Sequence, residues 1–151
     1  MDEGQVKSVN GKGERPVPVT ARVKLTFCTE ERFFGPGVCE LLEGIRDSGS
    51  IQAAAARMEM SYTKAWKILK RAEEEIGTSL ITRMSGGKNG GSSTLTADGE
   101  RAVRDFREME SKLNEYAATI MKEYGRSFCL RTQAEKPENE KGGTVWNQKQ
   151  G

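Results

Sequence analysis

Residues 61–71 carry four basic side chains, Lys64, Lys67, Lys70 and Arg71, and no acidic one; Glu73, Glu74 and Glu75 follow at once. A local positive cluster on a chain of net charge only +2 suits a polyanion, because each ammonium or guanidinium can neutralise a phosphate. Lys64, Lys67 and Arg71 stand at i, i+3 and i+7, so a helix would line them along one face. Ser61 and Thr63 supply hydroxyls at the N-terminal end, where base edges would be met. Taken by itself, the charge also describes a solvated helix face.

Other chemistries have less to work with. The chain has no histidine, which removes Ser-His-Asp and Cys-His catalysis and imidazole metal sites. Its three cysteines, Cys28, Cys39 and Cys129, are scattered and make no C-x-x-C; free thiols in a reducing compartment fit that pattern. Cys28 and Cys39 read as core residues. The segment Ser85-Gly86-Gly87-Lys88-Asn89-Gly90-Gly91-Ser92 invites a phosphate-loop reading. It does not match G-x-x-x-x-G-K-[ST], and it lies between strands rather than ahead of a helix, so nucleotide binding is rejected. No enzyme, metal or cofactor is expected.

The elements that must position the basic face follow from periodicity. Val23, Leu25 and Phe27 alternate with polar residues, as in a half-buried strand. Pro36 suits a first helical position. Val38, Leu41, Leu42 and Ile45 make one apolar helix face, and Gly49 ends it. Ser50 can cap a short second helix with Ile51, Ala54, Ala55 and Met58 inward; its small side chains permit close approach by another helix. Ser61 can cap a third after a two-residue link. Tyr62, Ala65, Trp66, Leu69, Ala72 and Ile76 form its apolar side, with Trp66 expected in the core and Tyr62 expected to pack while keeping a polar tip. Gly77 ends that helix. Strands at 80–84 and 93–96 flank the glycine-rich turn as a hairpin. A long helix then runs over about 97–124, with Asp98 and Glu100 in its first turn.

This order is a helix-turn-helix followed by a wing, which exposes the outer face of the third helix to a major groove about 12 Å wide. Lys88 is the only charge of the wing turn and is expected on a phosphate. Ala102, Phe106, Met109, Leu113, Tyr116 and Ile120 alternate in steps of four and three along the long helix, a seam suited to a second helix. A helix of about 28 residues is roughly 42 Å long, more than so small a domain can cover.

The rest of the 151 residues bound the picture. Only 35% are hydrophobic and 30% are charged, so the core is modest. No apolar run approaches the roughly 18 residues of a membrane span, and the N-terminus has no secretory h-region. A cytoplasmic protein without membrane contact is expected. The expected organisation is a flexible arm at 1–20, the winged domain at 21–96, the long helix at 97–125 and a disordered tail at 126–151.

The motifs Ser48-Gly49-Ser50-Ile51-Gln52-Ala53-Ala54-Ala55, Met60-Ser61-Tyr62 and Lys64-Ala65-Trp66, then Arg83, the glycine-rich wing and Leu95-Thr96-Ala97-Asp98-Gly99, resemble the DNA-binding half of ModE-type molybdate-responsive regulators. That half is in turn similar to the N-terminal domain of LysR-type regulators. The resemblance covers about residues 23–124. It implies a mainly α winged helix-turn-helix that dimerises through its long helix and binds operator DNA as a sequence-specific transcription regulator. It adds Ser50, Arg83 and Asn89 to Ser61, Tyr62, Thr63, Lys64, Lys67, Arg71 and Lys88 as DNA-contacting residues. ModE-type proteins carry an oxyanion-binding region after the long helix. Fewer than thirty residues follow Tyr124 here, too few for a ligand-binding domain, so molybdate sensing is not expected. A winged-helix adaptor that uses the same surface on proteins is the alternative.

Overall fold

The computed structural model describes residues 19–86 and 91–128. The expectations for the N-terminal arm, for Lys88 and Asn89 at the wing tip, for Cys129 and for the tail lie wholly or mostly outside that range. The packing below is within the unit Ala21–Thr119. The elements run β1 (Phe27–Cys28), β2 (Arg32–Phe34), α1 (Pro36–Ser48), α2 (Ile51–Arg57), α3 (Tyr62–Ile76), β3 (Ile81–Met84), β4 (Ser92–Leu95) and α4 (Ala97–Tyr124), with a 3-10 turn at Gly125–Phe128. The fold is a winged helix-turn-helix, mainly helical with two small antiparallel hairpins.

The helix boundaries follow local chemistry. Pro36 opens α1, and Gly49 closes it in the left-handed region at φ 69°, where a side chain is disfavoured. Ser50 then caps α2 by accepting from the Ala53 N–H at 3.1 Å. Ser61 caps α3 in the same way through the Lys64 N–H at 3.2 Å, and Gly77 closes it at φ 83°. Small residues bring α1 against α2: a Cβ on Gly44 would sit 3.0 Å from the Ala54 Cβ.

The strand expected around Val23, Leu25 and Phe27 is largely absent. Only Phe27 and Cys28 pair, with a second short strand, β2, that alternation did not disclose. The Val23 N–H donates to Asn114 Oδ1 on α4 at 2.9 Å, so a side chain takes the place of a strand ladder there. Val23 itself is exposed. Cys28 is exposed as well, contrary to its reading as core.

The core is built from α1, α2, α3, β2 and the start of α4. Phe34, Leu41, Leu42, Ile45, Leu69, Leu80 and Phe106 are almost fully buried. Phe106 meets Phe34 at 5.3 Å and Phe27 at 5.7 Å between ring centroids, separations within the range of favourable aromatic pairs. Arg107, one residue on, clasps α1: its Nε and Nη2 donate to both oxygens of Glu43 at 2.9 and 2.8 Å. Those bonds hold the Glu43 carboxyl below its ordinary range. Cys39 lies beside this pair, and burial pushes its thiol up to about 11. It is a protonated core residue at neutral pH.

The hairpin β3–β4 is anchored at both ends. Ser93 donates its N–H to the Gly49 carbonyl at 2.8 Å, and Thr96 donates its own to the Leu80 carbonyl at 3.0 Å. Thr96 Oγ1 also accepts from the Gly99 N–H at 3.0 Å, starting α4. Gly99 runs so close to Leu80 that a Cβ would lie 2.1 Å from its carbonyl oxygen. The wing and the long helix therefore meet at one junction of fixed geometry.

Candidate nucleic-acid interface

Helix α3 presents three surfaces. Ala65, Leu69 and Ala72 are buried, with Ile68 half-buried against the core. Thr63, Lys64, Lys67 and Lys70 are exposed. The carboxylates occupy the last turns. Glu73 accepts from the Leu80 and Ile81 N–H groups at 2.9 and 3.4 Å, and Glu75 accepts from the Thr29 hydroxyl. The outward surface is thus basic over its N-terminal turns and acidic only towards its end.

The third surface turns to the wing and differs from the sequence expectation. Tyr62 is 40% exposed and Trp66 is half-buried at the edge of the core, because Ala65 and Leu69 already fill the inward sector. Arg83 on β3 lays its guanidinium over the Trp66 ring, 4.5 Å from the centroid. Its Nη2 donates to the Tyr62 hydroxyl at 2.5 Å. Lys70 also contacts the Trp66 ring at 5.2 Å. Cation–ring contacts of this kind contribute roughly 0.5–1 kcal/mol each at exposed sites. Trp66 is a platform that orients cations as well as a packing residue. Accordingly, Trp66→Ala should cost less stability than the roughly 3–5 kcal/mol of a fully buried aromatic. It should also free Arg83. Urea denaturation measures the first effect, and loss of the ring-current shift on the Arg83 side chain measures the second.

Between α3, the start of α2 and the wing lies an open groove of about 600 Å³. Ser50, Gln52, Tyr62, Arg83 and Ser92 line it, and no carboxylate does among the described residues. Ser50, Tyr62 and Arg83, read separately from the sequence, come together here. Lys64 and Lys67 stand on the exposed α3 surface. Arg71 is placed elsewhere: its Nη1 donates to Glu31 in the β1–β2 turn at 2.8 Å, and it borders a different groove. Gln52 and Lys70 are not among the contact residues expected from the sequence. Lys70 belongs to the basic run but departs from the i, i+3, i+7 register used to choose the face. Gln52 gives no signal until the capped start of α2 is set beside the wing.

Residues 39–100 match the family model described as "Bacterial regulatory helix-turn-helix protein, lysR family". The segment is a lysR-family helix-turn-helix domain. Within it, α2 and α3 are the helix pair and β3–β4 the wing. The chain is 32% identical over 98 residues to the "Molybdenum transport protein ModE" of Herbaspirillum seropedicae, covering 65% of this chain and 35% of that protein. It is 34% identical over 91 residues to the "Transcriptional regulator ModE" of Haemophilus influenzae, covering 60% and 35%. The chain thus spans about a third of the length of these curated relatives, a match of 35% in both. Among solved structures, ArgP from Mycobacterium tuberculosis aligns with a TM-score of 0.42 at 22% identity, over 60% of this chain and 31% of its own. No helix among the described residues is long and apolar enough to cross a membrane.

Proposed function

We propose that the chain is a sequence-specific, DNA-binding transcription regulator that acts as a homodimer. The observation that carries this reading is the Tyr62–Arg83–Trp66 stack, which joins the wing to the basic face of α3. In the proposed complex the N-terminal half of α3 enters the major groove. Ser61, Thr63, Lys64 and Lys67 reach bases and phosphates, and Lys70 a phosphate. Arg83, Ser50 and Gln52 meet the backbone beside the wing. Lys88 and Asn89 extend the contact from the wing tip. Arg71, engaged by Glu31, is left out of the contact set. The test is binding of operator duplex, selected from a random pool, as a function of salt. Five cations per protomer, Lys64, Lys67, Lys70, Arg83 and Lys88, imply about ten phosphates per dimer and a log–log slope near −9. A protein adaptor would show no affinity for duplex DNA even at low salt.

The homodimer reading rests on α4. Met109, Leu113, Tyr116 and Ile120 are exposed and fall on one stripe. Ala102 lies partly against the core and Phe106 is within it, so the free seam starts at Met109. Light scattering should give twice the 16.7 kDa chain mass. Leu113→Asp with Ile120→Asp should return it to the monomer value, since two charges replace apolar contacts that contribute roughly 1.5–3 kcal/mol per buried side chain. A wild-type monomer at micromolar concentration would refute the assignment.

A further inference from the structure

A second groove, remote in composition from the wing, lies where α3 meets α1 and the β1–β2 hairpin; its volume is about 320 Å³. That is the low end of the roughly 300–1,000 Å³ that small-molecule sites occupy. Its floor is apolar: Phe33, Val38, Met60 and Ile68 line it, all only partly buried against the core. Its rim is cationic, formed by Lys24, Arg32 and Arg71, and no carboxylate lines it among the described residues. Glu31 balances one of the three charges through Arg71. Arg71 Nε is buried and has no hydrogen-bond partner, the single such side-chain atom among the described residues. A buried unpaired donor is costly, more so when it is charged, so the Arg71 guanidinium is not fully satisfied by Glu31 alone.

We propose that this groove binds a small organic anion, a flat apolar body bearing one carboxylate, with the body on Phe33, Val38 and Ile68 and the carboxylate on Arg71 and Arg32. Charge selects the class: Lys24 and Arg32 have no ion-pair partner among the described residues and Arg71 gives only Nη1 to Glu31, so a neutral ligand leaves cationic donors unpaired over an apolar floor and a purely inorganic anion leaves the floor wet. The site is independent of the DNA-binding reading, because it uses neither the wing groove nor the exposed lysines of α3.

The test uses the full chain without DNA, with labelled Val, Ile and Met methyl groups observed by NMR. Titration with 2-naphthoate should shift the Val38, Met60 and Ile68 signals saturably while the Ile45 signal stays in place. The neutral analogue 2-naphthamide should bind at least tenfold more weakly, and inorganic phosphate should leave the methyl signals unmoved. Arg71→Met, which keeps most of the aliphatic stem, should reduce naphthoate affinity at least tenfold, and Val38→Trp should block the floor. Ile45 reports in each variant that the core is intact. The proposal is overturned by no saturable shift with naphthoate, by equal binding of the amide, by equal shifts with phosphate alone, or by an Arg71→Met variant that binds as wild type. Nuclear Overhauser contacts from residues 1–18 to Val38 and Ile68 in the free protein would also overturn it, because the groove would then be filled by the chain itself.

Discussion

Lys64→Glu combined with Lys67→Glu should abolish operator binding at physiological salt and leave the domain folded. Both side chains are exposed on α3 and neither takes part in an ion pair of the described structure. Each reversal removes one phosphate or base contact and adds a repulsion within the groove, and a two-fold dimer doubles the count to four. Neutralising a contact alone flattens the salt slope by about one unit per phosphate, so four reversals cancel four of the roughly ten proposed attractions and set four repulsions against the rest. The fold should hardly notice, because exposed substitutions usually change stability by only about ±0.5 kcal/mol. A glutamate at position 64 falls near the α3 N-terminus, where the helix dipole favours it, and Ser61 still caps through the backbone of that residue. Fluorescence anisotropy on the selected duplex gives the binding, and urea denaturation gives the fold. A double variant that melts normally and binds as tightly as wild type would sink the placement of α3 in the groove. In the two-fold complex the operator should read as an inverted repeat, its half-sites about 10–10.5 base pairs apart or a multiple of that.

The parts of this architecture written in local chemistry were legible in the sequence. Ser50, Ser61, Gly49 and Gly77 mark helix ends by capping and by positive φ, properties of single residues and their nearest neighbours, and the helices begin and end where those residues require. The wing strands sit one residue from their expected bounds, since a glycine-rich turn between two extended runs has few other solutions. The parts that depend on what lies across the molecule were not legible. β2 is three residues long, and its partner β1 only two, too short for any alternation to register. Period alone could not separate Trp66 from Leu69: both fall on the apolar side of α3, but Leu69 meets the core while Trp66 reaches the wing and takes Arg83. Arg71 shares a helical face with Lys64, yet Glu31, forty residues earlier, sets where its guanidinium goes. Along α4 the four-three repeat runs unbroken from Ala102 to Ile120, and nothing in the repeat shows where the domain's own core stops covering it.

Phe106 supplies that stopping point, and its removal is expected to be the most damaging single truncation on α4. The side chain is 1% exposed and packs edge-on to Phe27 and tilted against Phe34. It is therefore the residue through which the long helix, the β1–β2 hairpin and the core become one body. Phe106→Ala leaves a ring-sized void among residues that cannot follow it. Phe34 is held in β2 by pairing with Phe27, and the α4 backbone is fixed nearby by Gly99 against Leu80 and by Arg107 on Glu43. Partial collapse is the usual relief for such cavities, and with both sides pinned the cost should lie at the upper part of the roughly 3–5 kcal/mol range. Against a typical total of about 5–15 kcal/mol, a large share of the stability is at stake, and the urea midpoint should fall accordingly. Leu113, seven residues further along the same stripe, is 36% exposed in the single chain, so Leu113→Ala should cost far less when melting is followed on monomer. If the two alanine variants were to melt alike, Phe106 would belong to the same partner-covered seam as Leu113, and the division of α4 into a core-packed beginning and a free remainder would be wrong.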